Sequence, residues 1–250
     1  MFNVIITEFL KLKHSKILWL IPIGAIVPVL MALLSLSQMY NSNDPSAHYW
    51  GMLLKTVLVF SNYFSSAILA LITGFIFTRE YQEITINVLF TYPISRLKFY
   101  ISKLIVSLFL TTVLFTLSII FTLISGIVFK YEMFISEFLV IFIKYSLFSI
   151  LLNFLLVPIA AFVGIKSKTV LSTSALGIVY VMSMLFLNKP EYSVYIPCCI
   201  PSLIASLKGY VMGGFLSFTG DLNKAYITLM ISFTASVLIG LVYYKNTDVT

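Results

Sequence analysis

Charge is scarce in this 250-residue chain. Only 10% of its residues are Asp, Glu, Lys or Arg, whereas soluble domains carry about a quarter. Apolar residues make up 60% of the chain, and the mean hydropathy is +1.04. This composition excludes a soluble globular domain and predicts an integral membrane protein. Because the apolar runs are continuous rather than alternating, spanning helices are predicted and barrel strands are not.

The residues that build most catalytic and metal sites are also rare. The two histidines, His14 and His48, are predicted on opposite sides of the membrane, so they cannot form a zinc pair or complete a catalytic triad. Two adjacent cysteines, Cys198 and Cys199, are too few for a disulfide framework. No Gly-Lys-Ser/Thr occurs, so the chain is not expected to bind ATP through a P-loop. The sequence therefore predicts no enzyme activity, no catalytic or metal site and no cofactor in this chain.

Long apolar runs, by contrast, are abundant, and several approach the ~20 residues needed to span a bilayer. The predicted spans are 17–38, 56–78, 104–129, 145–165, 169–187 and 225–244. The segment 188–224 contains three prolines and several glycines, and we predict that it is an external, re-entrant segment before the last span. The fold class is thus an all-α integral membrane protein in which one domain, residues 1–250, has six transmembrane helices.

The basic residues are distributed unequally between the two sides of this topology. Ten of the 16 Lys and Arg residues fall on the side that carries both termini, with four acids, and six fall on the other side with five acids. The positive-inside rule makes the first side cytoplasmic. The net charge of +7 is interpreted as an orientation signal in the lipid bilayer, with no nucleic-acid partner. All nine carboxylates lie outside the predicted spans, whereas proton-coupled carriers usually keep an ionisable group at mid-membrane.

Residues 2–16 are amphipathic at helical spacing and predict a helix in the inner interface. The apolar face is assigned to Phe2, Ile5, Ile6, Phe9, Leu10 and Leu12, and the polar face to Asn3, Thr7, Glu8, Lys11 and His14, with Val4 as the exception. The alternative is a first span that continues straight into the cytosol.

Two amides lie inside the predicted spans. Asn62 falls in 56–78 and Asn153 in 145–165. Hydrogen bonds between helices are the expected role of such groups, and contact with a substrate on its path is the alternative.

Charges gather in one cytoplasmic stretch, REYQEITINVLFTYPISRLK at 79–98. If the second span continues as a helix, Glu80, Glu83, Asn87 and Thr91 form one polar stripe, predicted to face the cytosol. Pro93 should end this helix, and Ser95 should cap the next. The result is a bent elbow over 79–103.

This stretch resembles the permease subunits of ABC-2 type transporters. The resemblance rests on Glu80, Thr85, Leu89, Pro93, Ile94, Ser95, Arg96 and Lys103, together with EFLKLKHSK before the first span. It implies a bacterial cell-membrane permease with two copies of a P-loop ATPase, which bind the ATP and Mg²⁺, and with a second permease, identical or a sister chain. The implied ATPase-coupling residues are Arg79, Glu80, Glu83, Asn87 and Arg96; anchoring at the lipid headgroups is their other interpretation.

The resemblance further implies export of a hydrophobic or amphipathic compound, such as an antimicrobial or toxin peptide or a drug. Small members of the family resemble bacitracin, lantibiotic-immunity and amphipathic-peptide exporters. Two other classes stay open at this point: a proton-coupled secondary carrier, and a membrane scaffold or sensor subunit that transports nothing itself.

Overall fold

The computed structural model describes residues 2–13, 15–41, 48–83, 85, 95–186, 190–209 and 221–246. Within these ranges the regular secondary structure is helical, apart from one isolated bridge between Tyr49 and Glu132. The α-helices are α1 (Phe2–Lys13), α2 (Leu20–Asn41), α3 (Trp50–Gln82), α4 (Arg96–Val128), α5 (Ser136–Phe154), α6 (Val157–Ser167), α7 (Val170–Phe186), α8 (Pro190–Ser193), α9 (Ile200–Gly209) and α10 (Leu222–Asn246), with 3-10 turns at Lys16–Trp19 and Pro197–Cys199.

Five helical segments of the described chain are long and apolar enough to cross a membrane. They are Lys16–Tyr40, Trp50–Gln82, Arg96–Val128, Ser136–Ser167 and Leu222–Tyr244. The all-α membrane class is confirmed. The predicted fifth span, 169–187, forms α7, which has 17 residues and so lies at the lower limit for a span. Six spans, and with them the side on which each terminus lies, stay a prediction.

The long helices extend well beyond the apolar runs that predicted them. α3 and α4 have 33 residues each, about 50 Å at 1.5 Å per residue, whereas the hydrocarbon core is about 30 Å thick. The predicted span 145–165 becomes α5 and α6, which are separated near Leu155 and Leu156. Pro158 lies in the first turn of α6, where its missing N–H costs nothing, and this explains the break.

The centre of the bundle is α3, whose apolar window is 67% buried. It packs against α2, α4, α5, α6, α7 and α9. Small residues allow this crowding. A Cβ at Gly74 would overlap the Thr173 side chain on α7, and a Cβ at Gly177 would lie 2.8 Å from the carbonyl oxygen of Ala67. The backbones of α3 and α7 therefore approach each other closely at these two glycines.

The hairpin between α6 and α7 is tight, as the short run Lys166, Ser167, Lys168 predicts. α6 ends at Ser167, and α7 begins at Val170. Lys168 closes the helix in a left-handed conformation with φ of 57°, and its N–H donates to the carbonyl oxygen of Gly164.

The segment before the last helix folds back against the bundle. α9 packs on α3 and α5, and Cys199, Ile200, Leu203 and Ile204 are buried there. This packing is observed, whereas entry of the segment into the bilayer stays a prediction. Residues 188, 189 and 210–220 of the predicted external segment lie outside the described residues, as does residue 187 of the predicted fifth span.

Candidate functional site

Helix α1 lies across the ends of α3 and α4 and buries one narrow stripe. Val4, Glu8 and Leu12, spaced at i, i+4 and i+8, are buried, while Phe2 and Leu10 are 73% and 57% exposed. The predicted assignment of Glu8 to an outward polar face is therefore wrong. Val4, the residue that did not fit the predicted faces, marks the side that packs on the bundle. Glu8 can lie on this side because its charge is neutralised by lysines.

Four ionisable residues meet where α1, α3 and α4 come together, and we call Glu8, Lys11, Glu80 and Lys103 the charge cluster. Lys103 Nζ lies 3.0 Å from Glu8 Oε2 and 3.2 Å from Glu80 Oε1, and it donates to the carbonyl oxygen of Ile76 at 2.9 Å. Lys11 Nζ lies 2.8 Å from Glu8 Oε1 and 2.7 Å from Glu80 Oε1. Each lysine therefore bridges both carboxylates.

Buried charged side chains require partners of opposite charge. Lys103 is 1% exposed, Glu8 3% and Glu80 4%. An isolated buried charge is strongly unfavourable, whereas two acids and two lysines form a neutral set. The cluster therefore joins three helices, and its three buried members, Glu8, Glu80 and Lys103, are destabilising if they lose their partners.

The protonation states of the α1 members agree with their contacts. Burial raises the pKa of Glu8, but the ammonium groups of Lys103 and Lys11 outweigh it and hold the pKa below its usual range. Burial lowers the pKa of Lys11, but the carboxylates of Glu80 and Glu8 outweigh it and raise the pKa above its usual range. Both residues are therefore ionised at neutral pH.

Arg79 adds a second attachment between α3 and α1. Its Nη1 donates to the carbonyl oxygen of Lys11 at 2.6 Å, one of the last-turn carbonyls that have no partner within α1. Its Nε lies 2.7 Å from Oε1 of Glu83, the residue that follows the end of α3. Arg79 thus connects the C-terminal turn of α1 to the end of α3.

The predicted coupling residues divide into an inner and an outer group. Glu80 was expected to face the cytosol, and this orientation is wrong because the residue is buried in the charge cluster. The Glu83 side chain is 50% exposed at the end of α3, and Arg96 is half-buried in the first turn of α4. α3 ends at Gln82, and residues 84 and 86–94 of the predicted elbow, Asn87 among them, lie outside the described residues.

Sequence reasoning missed that Glu8, Lys11 and Lys103 belong to one site. A signal was present in each helix. Glu8 shares the i, i+4 stripe of Val4 and Leu12, and Lys103 is an isolated charge with apolar and small polar neighbours in α4. Opposite charges on the buried faces of two helices that pack together predict a pair.

Asn62 and Asn153, by contrast, bond to each other inside the bundle. Asn153 Nδ2 donates to Asn62 Oδ1 at 2.8 Å, and Asn62 Nδ2 donates to Ser149 Oγ at 3.0 Å. Ser65 Oγ donates to Asn153 Oδ1 at 3.2 Å. The two amides are 0% and 1% exposed. This geometry is that of hydrogen bonds joining α3 to α5, and a role on a substrate path stays untested.

Ser95 lies directly before Arg96 at the start of α4, as predicted. Its backbone is extended, with φ of −62° and ψ of 137°, as an N-cap requires, but its side chain makes no capping hydrogen bond. Ser95 thus marks where α4 begins without contributing the usual side-chain stabilisation.

Comparison with known proteins gives two similarities. Residues 4–184 match the model of the family described as ABC-2 family transporter protein. The chain is also 29% identical over 182 residues to the bacitracin transport permease protein BCRB of Bacillus licheniformis, a region that covers 71% of this chain and 82% of that protein. The matched segment contains the whole charge cluster, since Glu8 and Lys103 both lie within it. Because the family match extends over more than half of the chain, this protein belongs to the ABC-2 family of transporter proteins and is a multi-pass membrane permease.

Proposed function

We propose that the chain is the membrane subunit of an ATP-driven exporter, which moves a hydrophobic or amphipathic compound such as an antimicrobial peptide, a toxin peptide or a drug out across the bacterial cell membrane. Membership of the ABC-2 family and the similarity to a bacitracin transport permease support this proposal. The energy comes from a separate P-loop ATPase, present in two copies. A second permease, identical or a sister chain, completes the pathway.

The charge cluster is the observation that carries the proposal further. It fastens α1 to α3 and α4 at the two points where the chain enters and leaves the predicted cytoplasmic elbow. A force applied to the elbow by an ATPase would therefore act on three helices at once. Small displacements become discrete rearrangements only when packed elements move together, and the cluster makes these elements move together.

Within this proposal the coupling residues have two roles. Glu83, Asn87 and Arg96 belong to the surface that contacts the ATPase. Glu80 is an anchor inside the protein, and Arg79 links the two because it holds both Glu83 and the backbone of α1. A change at the surface should weaken ATPase binding, whereas a change at Glu80 should weaken transmission while binding persists.

The test is co-purification of this permease with a co-expressed candidate P-loop ATPase, followed by ATPase and bacitracin-efflux assays in vesicles. Glu83→Lys should reduce the yield of the complex. Glu80→Gln removes one member of the buried charge cluster, so it is compared at equal amounts of monodisperse permease; the ATPase bound per permease should be unchanged, whereas the stimulation of ATP hydrolysis and the efflux should fall. Lys224→Met, which alters an exposed residue at the other end of the bundle, is the matched control.

Two outcomes would contradict the proposal in different ways. Normal complex yield and normal stimulation in both variants would remove the coupling role from this surface. Bacitracin efflux that persists without the ATPase but collapses with the proton gradient would instead identify a secondary carrier. If efflux of bacitracin is absent while ATPase stimulation is intact, the coupling stands and the cargo is a different amphipathic compound.

A further inference from the structure

An open groove runs along α5 and is bordered by Tyr226 of α10, away from the charge cluster. It has a volume of about 790 Å³, within the range of small-molecule sites. Its described lining includes Val140, Lys144, Leu147, Phe148, Leu151 and Tyr226. Phe148 and Tyr226 close its wall between the two helices, with their rings edge to face and centroids 6.4 Å apart.

Lys144 is the charged member of that described lining, and no acidic residue accompanies it there. The lysine is exposed, and none of the ion pairs found among the described residues involves it. It lies within Ser136–Ser167, a segment apolar and long enough to span the membrane. An ammonium in such a segment is unfavourable unless water or an anion meets it.

The groove is charged at one end, at Lys144, and apolar beyond it. Lys144 lies eight residues after Ser136, about 12 Å along the helix axis, and Leu151 lies about 10 Å further. Side chains of a helix tilt towards its N-terminus, so the Lys144 ammonium extends towards the Ser136 end of the bundle. The walls beyond it are apolar, with Leu147 51% and Leu151 56% exposed. An anionic head at Lys144 followed by a hydrocarbon chain along these leucines matches this arrangement.

We propose that this groove binds one anionic phospholipid, with its phosphate on Lys144 Nζ and an acyl chain along Leu147 and Leu151. Charge complementarity selects an anionic lipid over a zwitterionic one, because Lys144 has no acid beside it among the described residues that line the groove. The apolar surface of Leu147 and Leu151 beyond the lysine distinguishes a bound lipid from ordinary contact between a surface lysine and the headgroups. This site is independent of the ATPase and of the exported compound.

The experiment uses the purified full-length protein in phosphatidylcholine vesicles that contain a minor fraction of phosphatidylglycerol. The protein is re-extracted, and the phosphatidylglycerol retained per chain is counted by mass spectrometry. Lys144→Gln should weaken retention about tenfold, the scale of one charge-assisted hydrogen bond, and Lys144→Arg should preserve it. Leu151→Trp should also weaken retention because it fills the tail of the groove while leaving the charge.

The control is Lys130→Gln, since Lys130 lines a different groove beside Trp50; it should retain phosphatidylglycerol as the unchanged protein does. Equal loss in this control would show a diffuse electrostatic effect and overturn the proposal. So would unchanged retention in Lys144→Gln or in Leu151→Trp. Displacement of the lipid by bacitracin would make the groove a cargo site, and dissociation of a dimer in Leu151→Trp with unchanged lipid would make it an interface between copies. Monodisperse elution of each variant confirms that it is folded.

Discussion

Replacement of Lys103 by methionine should be among the most damaging single changes in the protein. Methionine has a similar length and fits the same space, so the change removes charge rather than volume. The Lys103 ammonium lies 3.0 Å from Glu8 and 3.2 Å from Glu80. At an effective dielectric constant of about 20, each attraction amounts to on the order of 5 kcal/mol. The desolvation of the lysine itself offsets much of this sum.

The net effect follows from what remains after the substitution. Two buried carboxylates would share the single ammonium of Lys11, and the cluster would carry one uncompensated negative charge. Breaking a buried pair by removing one partner costs about 3–5 kcal/mol. We expect a loss of this size in the free energy of unfolding, measured in mixed micelles by detergent titration and followed by the fluorescence of Trp19 and Trp50.

The double variant Glu80→Gln/Lys103→Met provides the internal check. It leaves Glu8 and Lys11 as a neutral pair at 2.8 Å, so it should recover more than half of the stability that Lys103→Met loses. Lys224→Met is the exposed control, because Lys224 lies 3.9 Å from Asp221 with its side chain 58% exposed, and such pairs contribute about 0.2–1 kcal/mol. If Lys103→Met is no worse than this control, the cluster does not hold α1 to the bundle.

Three further predictions concern pH, the amides and the glycines. Because the pKa of Glu8 is lowered, its stabilising contribution is complete above about pH 4.5 and is lost as the pH falls below that value, and the raised pKa of Lys11 keeps the contribution of Lys11 up to about pH 10.5. The amides of residues 2–13 should therefore be equally protected from hydrogen exchange between these two pH values. A transition near neutral pH would contradict the assignment. Asn153→Leu should lower the free energy of unfolding by about 0.6–1.7 kcal/mol. Adding Asn62→Leu should cost less than a second such loss, because replacing both partners leaves no unsatisfied amide. Strict additivity in a double-mutant cycle would argue against a hydrogen bond between the two amides. Gly74→Ala should lower the free energy of unfolding by about 1–3 kcal/mol, because the added methyl group would overlap the Thr173 side chain on α7. Gly240→Ala should cost less, because its methyl group would first meet the Tyr100 hydroxyl, at 2.7 Å. Equal unfolding midpoints for the two variants would refute the close approach of α3 and α7.

The membrane class and most spans follow from hydropathy because a bilayer imposes length and apolarity on any helix that crosses it. The hairpin at Lys166–Lys168 follows from its brevity for a similar reason. Such rules act on local sequence, and they succeed wherever one helix meets lipid. They give helix ends poorly, since α3 and α4 continue past the apolar core into regions where composition changes but the helix does not.

Only part of the candidate site could be predicted from the sequence, and the reason is different. The orientation of Glu80 depends on α1 and α4, which are distant in sequence, and periodicity within one helix assigns a charge to the outside by default. A charge turns inward when partners elsewhere neutralise it, and Lys11 and Lys103 are such partners. The pairing of Asn62 with Asn153 was predictable as a type of interaction, although their partnership required the packing of α3 on α5.

The wide sequence separation within the charge cluster has a consequence for biosynthesis. Glu8 and Lys103 are 95 residues apart, and Lys11 and Glu80 are 69 apart. The first helix leaves the ribosome long before its final neighbours exist, so it must wait at the membrane surface with Lys11, one turn away, as the local counter-ion of Glu8. Only when α4 has been inserted does the last ammonium arrive. α1 can therefore take its final position against α3 and α4 only late, after the first half of the chain has been inserted.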